Sequence, residues 1–316
     1  MPRIAGLVLA FALCAESDVS AADITLVRDA DGVTVLCDGK PFTRYVEHSG
    51  TKPILWPIVG PTGREMTRGY PMRDPVGPEK KDHIHHRSLW FVHGDVNGVS
   101  FWDEAAADHG HIDHEEYLEL TSGKTARIRT RNAWKLADGH KVCDDVRTMV
   151  FGADETTRWI DFRVTVTAQD DRVVFGDTKE GSLGMRVGGA MSVDDKAGGV
   201  IVNSEGQRDD EAWGKRAAWV DYSGPVDGEQ VGITIFNHPQ SLRYPTYWHV
   251  RTYGLFAANP FGVHDFLGKA DADGSLTLTK GESFSLFYRI VLHSGNADLD
   301  RTAAAFTRYA SESVSE

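Results

Sequence analysis

The sequence predicts an all-β fold: a large antiparallel β-sandwich with a C-terminal helix. Extended runs with period-two alternation recur along the chain, Asp-Gly and Ala-Asp-Gly turns join neighbouring runs, and one helical pattern stands near the C-terminus.

Taken in order, residues 32–37 run into Asp38-Gly39 and on through 40–46, a hairpin signal. Residues 127–134 and 141–151 flank Ala137-Asp138-Gly139, a second hairpin. Between 159 and 167, Ile160, Phe162, Val164 and Val166 alternate with Asp161, Arg163, Thr165 and Thr167, the pattern of a half-buried strand. Residues 198–203, 217–222, 231–236, 275–278 and 284–292 read the same way. The helix is expected over 297–311, with Asn296 as its cap, Asp298 and Asp300 near its positive end, and Leu299, Ala303 and Phe306 as its apolar stripe. About fifteen strands exceed one immunoglobulin-size sandwich, so two extended sheets are expected. Residues 53–78 are rich in Pro and Gly without periodicity, and a loop of that length usually serves function or covers something.

The 316 residues are 41% hydrophobic and 25% charged, an ordinary globular composition. A formal net charge of −12 argues against a nucleic-acid partner. Arg3, the apolar run 4–15 and the small residues Ser20, Ala21 and Ala22 read as a signal peptide over 1–22, hence a periplasmic or secreted protein. Residues 23–316 are then expected to form a single β-sandwich domain. No later apolar run is long enough to span a membrane. Cys37 and Cys143 fit either a disulfide or two buried thiols.

The densest chemistry lies in 82–98. If 84–92 is a strand, His83, His85 and Arg87 share one face, and His86, Ser88 and Trp90 the other. His85 and His86 suit acid–base work, and Arg87 suits a carboxylate or polarised oxygen. His83 and His85 suit a divalent metal ion. His109, His111 and His114, with Glu115 and Glu116, either complete such a site or lie in a solvated loop. Glu180, in the turn 176–181 beside Lys179, suits a general base or a metal ligand, and Arg186 lies just downstream. The stretch 237–251 places His238, Tyr244, Trp248 and His249 among arginines, the flat faces and fixed donors that a sugar needs, although any single ring there also fits the core. Asn259, in the turn Asn259-Pro260-Phe261-Gly262, either holds the turn or reaches the same region. There is no dinucleotide or phosphate glycine loop, no Gly-x-Ser-x-Gly elbow and no His-Glu-x-x-His.

Several ordered motifs carry a family resemblance. Asp82-His83-x-His85-His86-Arg87-Ser88-Leu89-Trp90, His93-Gly94-Asp95-Val96-Asn97-Gly98, Thr178-Lys179-Glu180-Gly181, Pro245-Thr246-x-Trp248-His249-x-Arg251 and the 259–262 turn together resemble the DUF6807 family. The resemblance covers almost all of the chain after the leader. Its members are often labelled methane oxygenase subunits, but membrane oxygenase subunits need spanning segments that this sequence lacks after the leader. The resemblance implies a galactose-mutarotase-like supersandwich and a role in glycan breakdown. The expectation is therefore an enzyme that cleaves a glycosidic linkage by hydrolysis or elimination, with 3-keto sugars among its substrates. His85, His86, Arg87 and Glu180 are its catalytic candidates; Arg186, His238, Tyr244, Trp248, His249 and Asn259 are its binding candidates. A non-catalytic carbohydrate-binding protein and a metal-dependent oxygenase are the alternatives.

Overall fold

The computed structural model describes residues 22–314; the expected leader, up to residue 21, lies outside the described residues. Strands β1 (Ile24–Arg28), β2 (Gly32–Cys37), β3 (Lys40–Ser49), β4 (Lys52–Leu55) and β5 (Leu89–His93) come first. A meander follows: β6 (His111–Thr121), β7 (Ala126–Lys135), β8 (Lys141–Ala153) and β9 (Thr157–Ala168). The next strands are β10 (Arg172–Phe175), β11 (Gly181–Arg186), β12 (Val200–Asn203), β13 (Trp219–Val226) and β14 (Glu229–Asn237). Last come β15 (Tyr247–Val250), β16 (Leu255–Asn259), a short helix α1 (Val263–Leu267), β17 (Leu276–Thr279), β18 (Ser283–Ser294) and the terminal helix α2 (Leu299–Ser311).

The strands form two eight-stranded antiparallel sheets and a small pair, β10 with β17. The first sheet runs β1-β2-β3-β4-β5-β11-β16-β15, the second β12-β13-β14-β18-β9-β8-β7-β6. The expected large antiparallel β-sandwich with a C-terminal helix is the architecture observed. Its core lies between the sheets. Phe42 meets Phe151 across it at 5.8 Å between ring centroids, Phe91 meets Trp134 at 6.0 Å, and Tyr222 meets Phe256 at 6.0 Å.

The helical pattern holds with a shifted face. Asp298, not Asn296, is the cap, accepting the Arg301 N–H at 3.1 Å. Leu299 is exposed, and Ala305, Phe306 and Tyr309 pack instead on Trp219 and Phe236 of the second sheet. Cys37 and Cys143 are both free, buried thiols.

Candidate active site

Residues 82–88 are not the start of a strand. His83 (φ 42°) and Ser88 (φ 59°) adopt left-handed backbone, so the strand begins only at Leu89 and the expected face shared by His83, His85 and Arg87 does not form. What shapes the segment is Arg68, from the long loop between β4 and β5. Its buried guanidinium donates to the carbonyls of Tyr70 (3.0 Å), Lys80 (3.3 Å), His83 (3.0 Å) and His86 (3.3 Å), and pairs with Asp82. One side chain thereby gathers the backbone of the whole turn.

The result is a column of four near-parallel rings. Tyr253 lies 5.2 Å from His83, His83 lies 4.7 Å from His86, and His86 lies 5.3 Å from Trp90. His85 stands edge-on to His86 at 4.6 Å, beside Trp102 at 6.2 Å. Arg186, the last residue of β11, donates from Nη1 to His86 Nδ1 at 3.0 Å and from Nη2 to Asp82 Oδ1 at 3.0 Å, while its guanidinium lies 4.8 Å from the Tyr253 ring centroid. Because Nδ1 of His86 accepts, the neutral ring carries its proton on Nε2.

Burial lowers both His85 and His86. His86 is held well below the ordinary histidine value by burial, aided by the charges of His85 and Arg186. His85 is lowered to about 4 by burial and then by the neighbouring Lys52 ammonium. Burial opposes the charge of Asp82, but Arg186 and Arg68 outweigh it and hold the carboxyl low.

Next to His85 lies an ion triad absent from the expected site. Lys52 and Arg87 both bind Glu104: Arg87 Nε donates to Oε1 at 2.8 Å and Nη2 to Oε2 at 2.7 Å, and Lys52 Nζ sits 2.5 Å from Oε1. Burial lowers Lys52 to about 8. Arg87, expected to stabilise an oxygen of the substrate, is instead committed to Glu104. Neither Lys52 nor Glu104 stands near the histidines in sequence, and nothing in the pattern around them marks them.

Strand register extends the site. Trp90, Gly184, Ala257 and His249 are directly opposed across β5, β11, β16 and β15, so they share one face. Their neighbours Phe91 and Phe256 point into the core, so this face turns away from the second sheet. A Cβ on Gly184 would lie 2.5 Å from the Trp90 indole, so the ring rests directly on the sheet. Trp90, Gly184, Ala257 and His249 are all buried, with the ring column at one side of this face and His249 at the other. Glu180 precedes β11 and Arg186, which holds His86, ends it, so Glu180 and His86 stand at opposite ends of one strand, roughly 20 Å of backbone apart. Lys179 Nζ lies 3.3 Å from Glu180 Oε1. His249 is held below the usual histidine range by burial, against the charge of Glu180, and Nδ1 of its ring lies 2.8 Å from the Lys179 carbonyl oxygen.

The other expected binding residues lie elsewhere. Trp248 alternates with His249 and faces the core, donating Nε1–H to the Ala217 carbonyl at 2.9 Å. His238 is buried 5.0 Å from Tyr309 of α2. Asn259 locks the turn, donating to Thr178 O and accepting from Phe261 N, both at 2.8 Å. Tyr244 is tied through its carbonyl to Arg216 at 3.2 Å, and no contact among the described residues joins it to the ring column. His83 and His85 meet edge to face at 5.7 Å, and no group of three metal-donor side chains is assembled among the described residues. His109 binds the Ala106 carbonyl at 2.7 Å and His114 packs on Tyr117 at 4.3 Å, so neither joins the first cluster.

No curated protein matches the sequence. Among solved structures, the chain is similar to a GH36 α-galactosidase, AgaA, of Geobacillus stearothermophilus, crystallised with raffinose. That likeness has 11% identity and a TM-score of 0.37, and covers 86% of this chain and 40% of the galactosidase, so the chain spans about two-fifths of that protein. It is also similar to Slr1438 of Synechocystis sp. PCC 6803, with 10% identity, a TM-score of 0.36, and 92% and 100% of the two chains covered. A putative aldose 1-epimerase of Escherichia coli K12 follows at 10% identity and a TM-score of 0.32, with 87% and 100% covered. The sequence pattern of DUF6807, a family of unknown function, matches residues 32–307, and the chain belongs to that family.

Proposed function

We propose that the protein is a carbohydrate-active enzyme that opens a glycosidic linkage, by hydrolysis or elimination, with 3-keto sugars among its substrates. The observation that carries this reading is the column Tyr253–His83–His86–Trp90 beside His85 and the Arg186–Asp82 pair. The stacked rings hold one another's faces, so the edges of the column and the fixed polar groups beside it are what meet a sugar's hydroxyls. His85, uncharged at neutral pH and partly open to solvent, is the base. In a 3-keto glycoside it takes the C2 proton, charge gathers on the C3 oxygen, and the C1–O bond breaks as the C1–C2 double bond forms, the leaving aglycone oxygen taking up the proton that His85 removed. His86, with its proton on Nε2 and its ring set by Arg186, is the donor toward the C3 oxygen. His249 and Glu180 take hydroxyls at the far end of the same face. The leader-like N-terminus supports a place outside the cytoplasm, where polymeric glycans are met.

The test is incubation with native and 3-keto glycosides, read by mass spectrometry. Hydrolysis adds the mass of water to the products; elimination does not. His85→Ala lowers turnover by roughly 10²- to 10⁴-fold while sugar binding survives, and the wild-type rate falls as pH drops through about 4, where His85 takes up a proton. Sugar binding with no turnover on any member of the panel would leave a pure binding protein.

A further inference from the structure

A second cavity lies away from the ring column, between the β2–β3 hairpin, the loop after β4 and the β8–β9 turn. It encloses about 840 Å³, within the size range of small-molecule sites. At its base is Arg158, only 6% exposed. Its Nη1 donates to the carbonyls of Pro41 (2.8 Å) and Val59 (3.0 Å), and its guanidinium lies 5.3 Å from the Phe42 ring centroid. No carboxylate among the described residues pairs with it. The other arginine of the lining, Arg44, is satisfied by Asp29, with both contacts at 2.6 Å. Thr43, another lining residue, has a buried hydroxyl without a hydrogen-bond partner. A buried guanidinium held by two neutral carbonyls and the Cys37 thiol, in the same lining as an unused hydroxyl, is a costly arrangement unless an anion completes it.

The rim limits which anion. Asp38, Glu65, Asp154 and Glu155 also line the cavity against one further cation, Lys40, so a polyanion such as a phosphate ester meets net repulsion there, whereas hydroxyl groups find acceptors. Pro41, Pro57 and Pro61 supply flat apolar walls. We propose that this cavity binds a hydroxylated monocarboxylate of sugar-acid type, its carboxylate on Arg158 and Thr43 and its hydroxyls on the acidic rim.

Isothermal titration calorimetry of the purified protein with glucuronate, galacturonate, gluconate and glucose tests this. At least one acid binds at least tenfold more tightly than glucose. Thr43→Val, which keeps the shape and removes only the hydroxyl, weakens that acid at least threefold, and Arg158→Lys weakens it further. Because Arg158 also holds two loop carbonyls, the thermal midpoint of each variant is measured alongside; the Thr43 variant carries the test if the Arg158 variant does not fold. His85→Ala leaves the affinity unchanged, which separates this cavity from the proposed catalytic site. Equal affinity for glucose and the acids, no binding of any acid, or full affinity in a folded Thr43→Val protein overturns the proposal.

Discussion

His293 makes folding stability depend on pH through one buried pair. Its Nε2 lies 2.7 Å from Asp221 Oδ2, and Asp221, fully buried, also accepts from Thr234 at 2.7 Å and from Ser223. Burial opposes a charged imidazole, but Asp221 outweighs it and raises His293 above the ordinary histidine value. The folded state therefore holds this proton more tightly than the unfolded chain. That stabilisation is complete below about pH 6.5, the unfolded value, and is lost as pH rises through the raised folded value. Urea unfolding from about pH 5.5 to 9 is expected to show that decline. Asp221→Asn is expected to flatten it and to cost about 2 kcal/mol at the acid end. A slope that persists in the variant means that another group is responsible.

At the scale of the element, the ring column depends on a residue with no side chain. A methyl on Gly184 enters the space of the Trp90 indole, with a Cβ 2.5 Å from its nearest atoms. Gly184→Ala is expected to cost about 1–3 kcal/mol, as overpacking does. It is also expected to tilt Trp90 and so disturb the stack through His86 and His83, lowering turnover more than a uniform loss of folded protein explains. Thermal melts with kinetics on the folded fraction measure this; full turnover in the variant removes the column from the mechanism.

The same elements show what the sequence reveals. Strand β9 and the β7–β8 hairpin are legible because one face is polar and the turn residues are explicit. Strands β11, β15 and β16 are not, because most of their residues are buried on both faces and period two disappears. The histidine cluster is visible as composition, but its shape is not. The left-handed His83 and Ser88, and the carbonyls gathered by Arg68, are tertiary facts without local signature. For the same reason Trp248 reads as a sugar platform and proves to be core: one step of register separates it from His249.

At the scale of the whole molecule, the second sheet is not built in chain order. Strand β18, the last one described, sits between β14 and β9, pairing with β9 over residues 283–293 and with β14 over 288–294. Before it arrives, β6–β9 and β12–β14 are two separate blocks with open edges and no common neighbour. The chain must therefore leave the ribosome at least as far as residue 294 before this wall can close, and it carries two unprotected templates for mispairing until then. A chain stopped after Lys280 is expected to aggregate rather than to yield half a protein, as size-exclusion chromatography will report; a monomeric truncated chain with a cooperative melt contradicts this. Translation speed across residues 281–294, and chaperone supply while they emerge, are then expected to bear on how much of the chain folds.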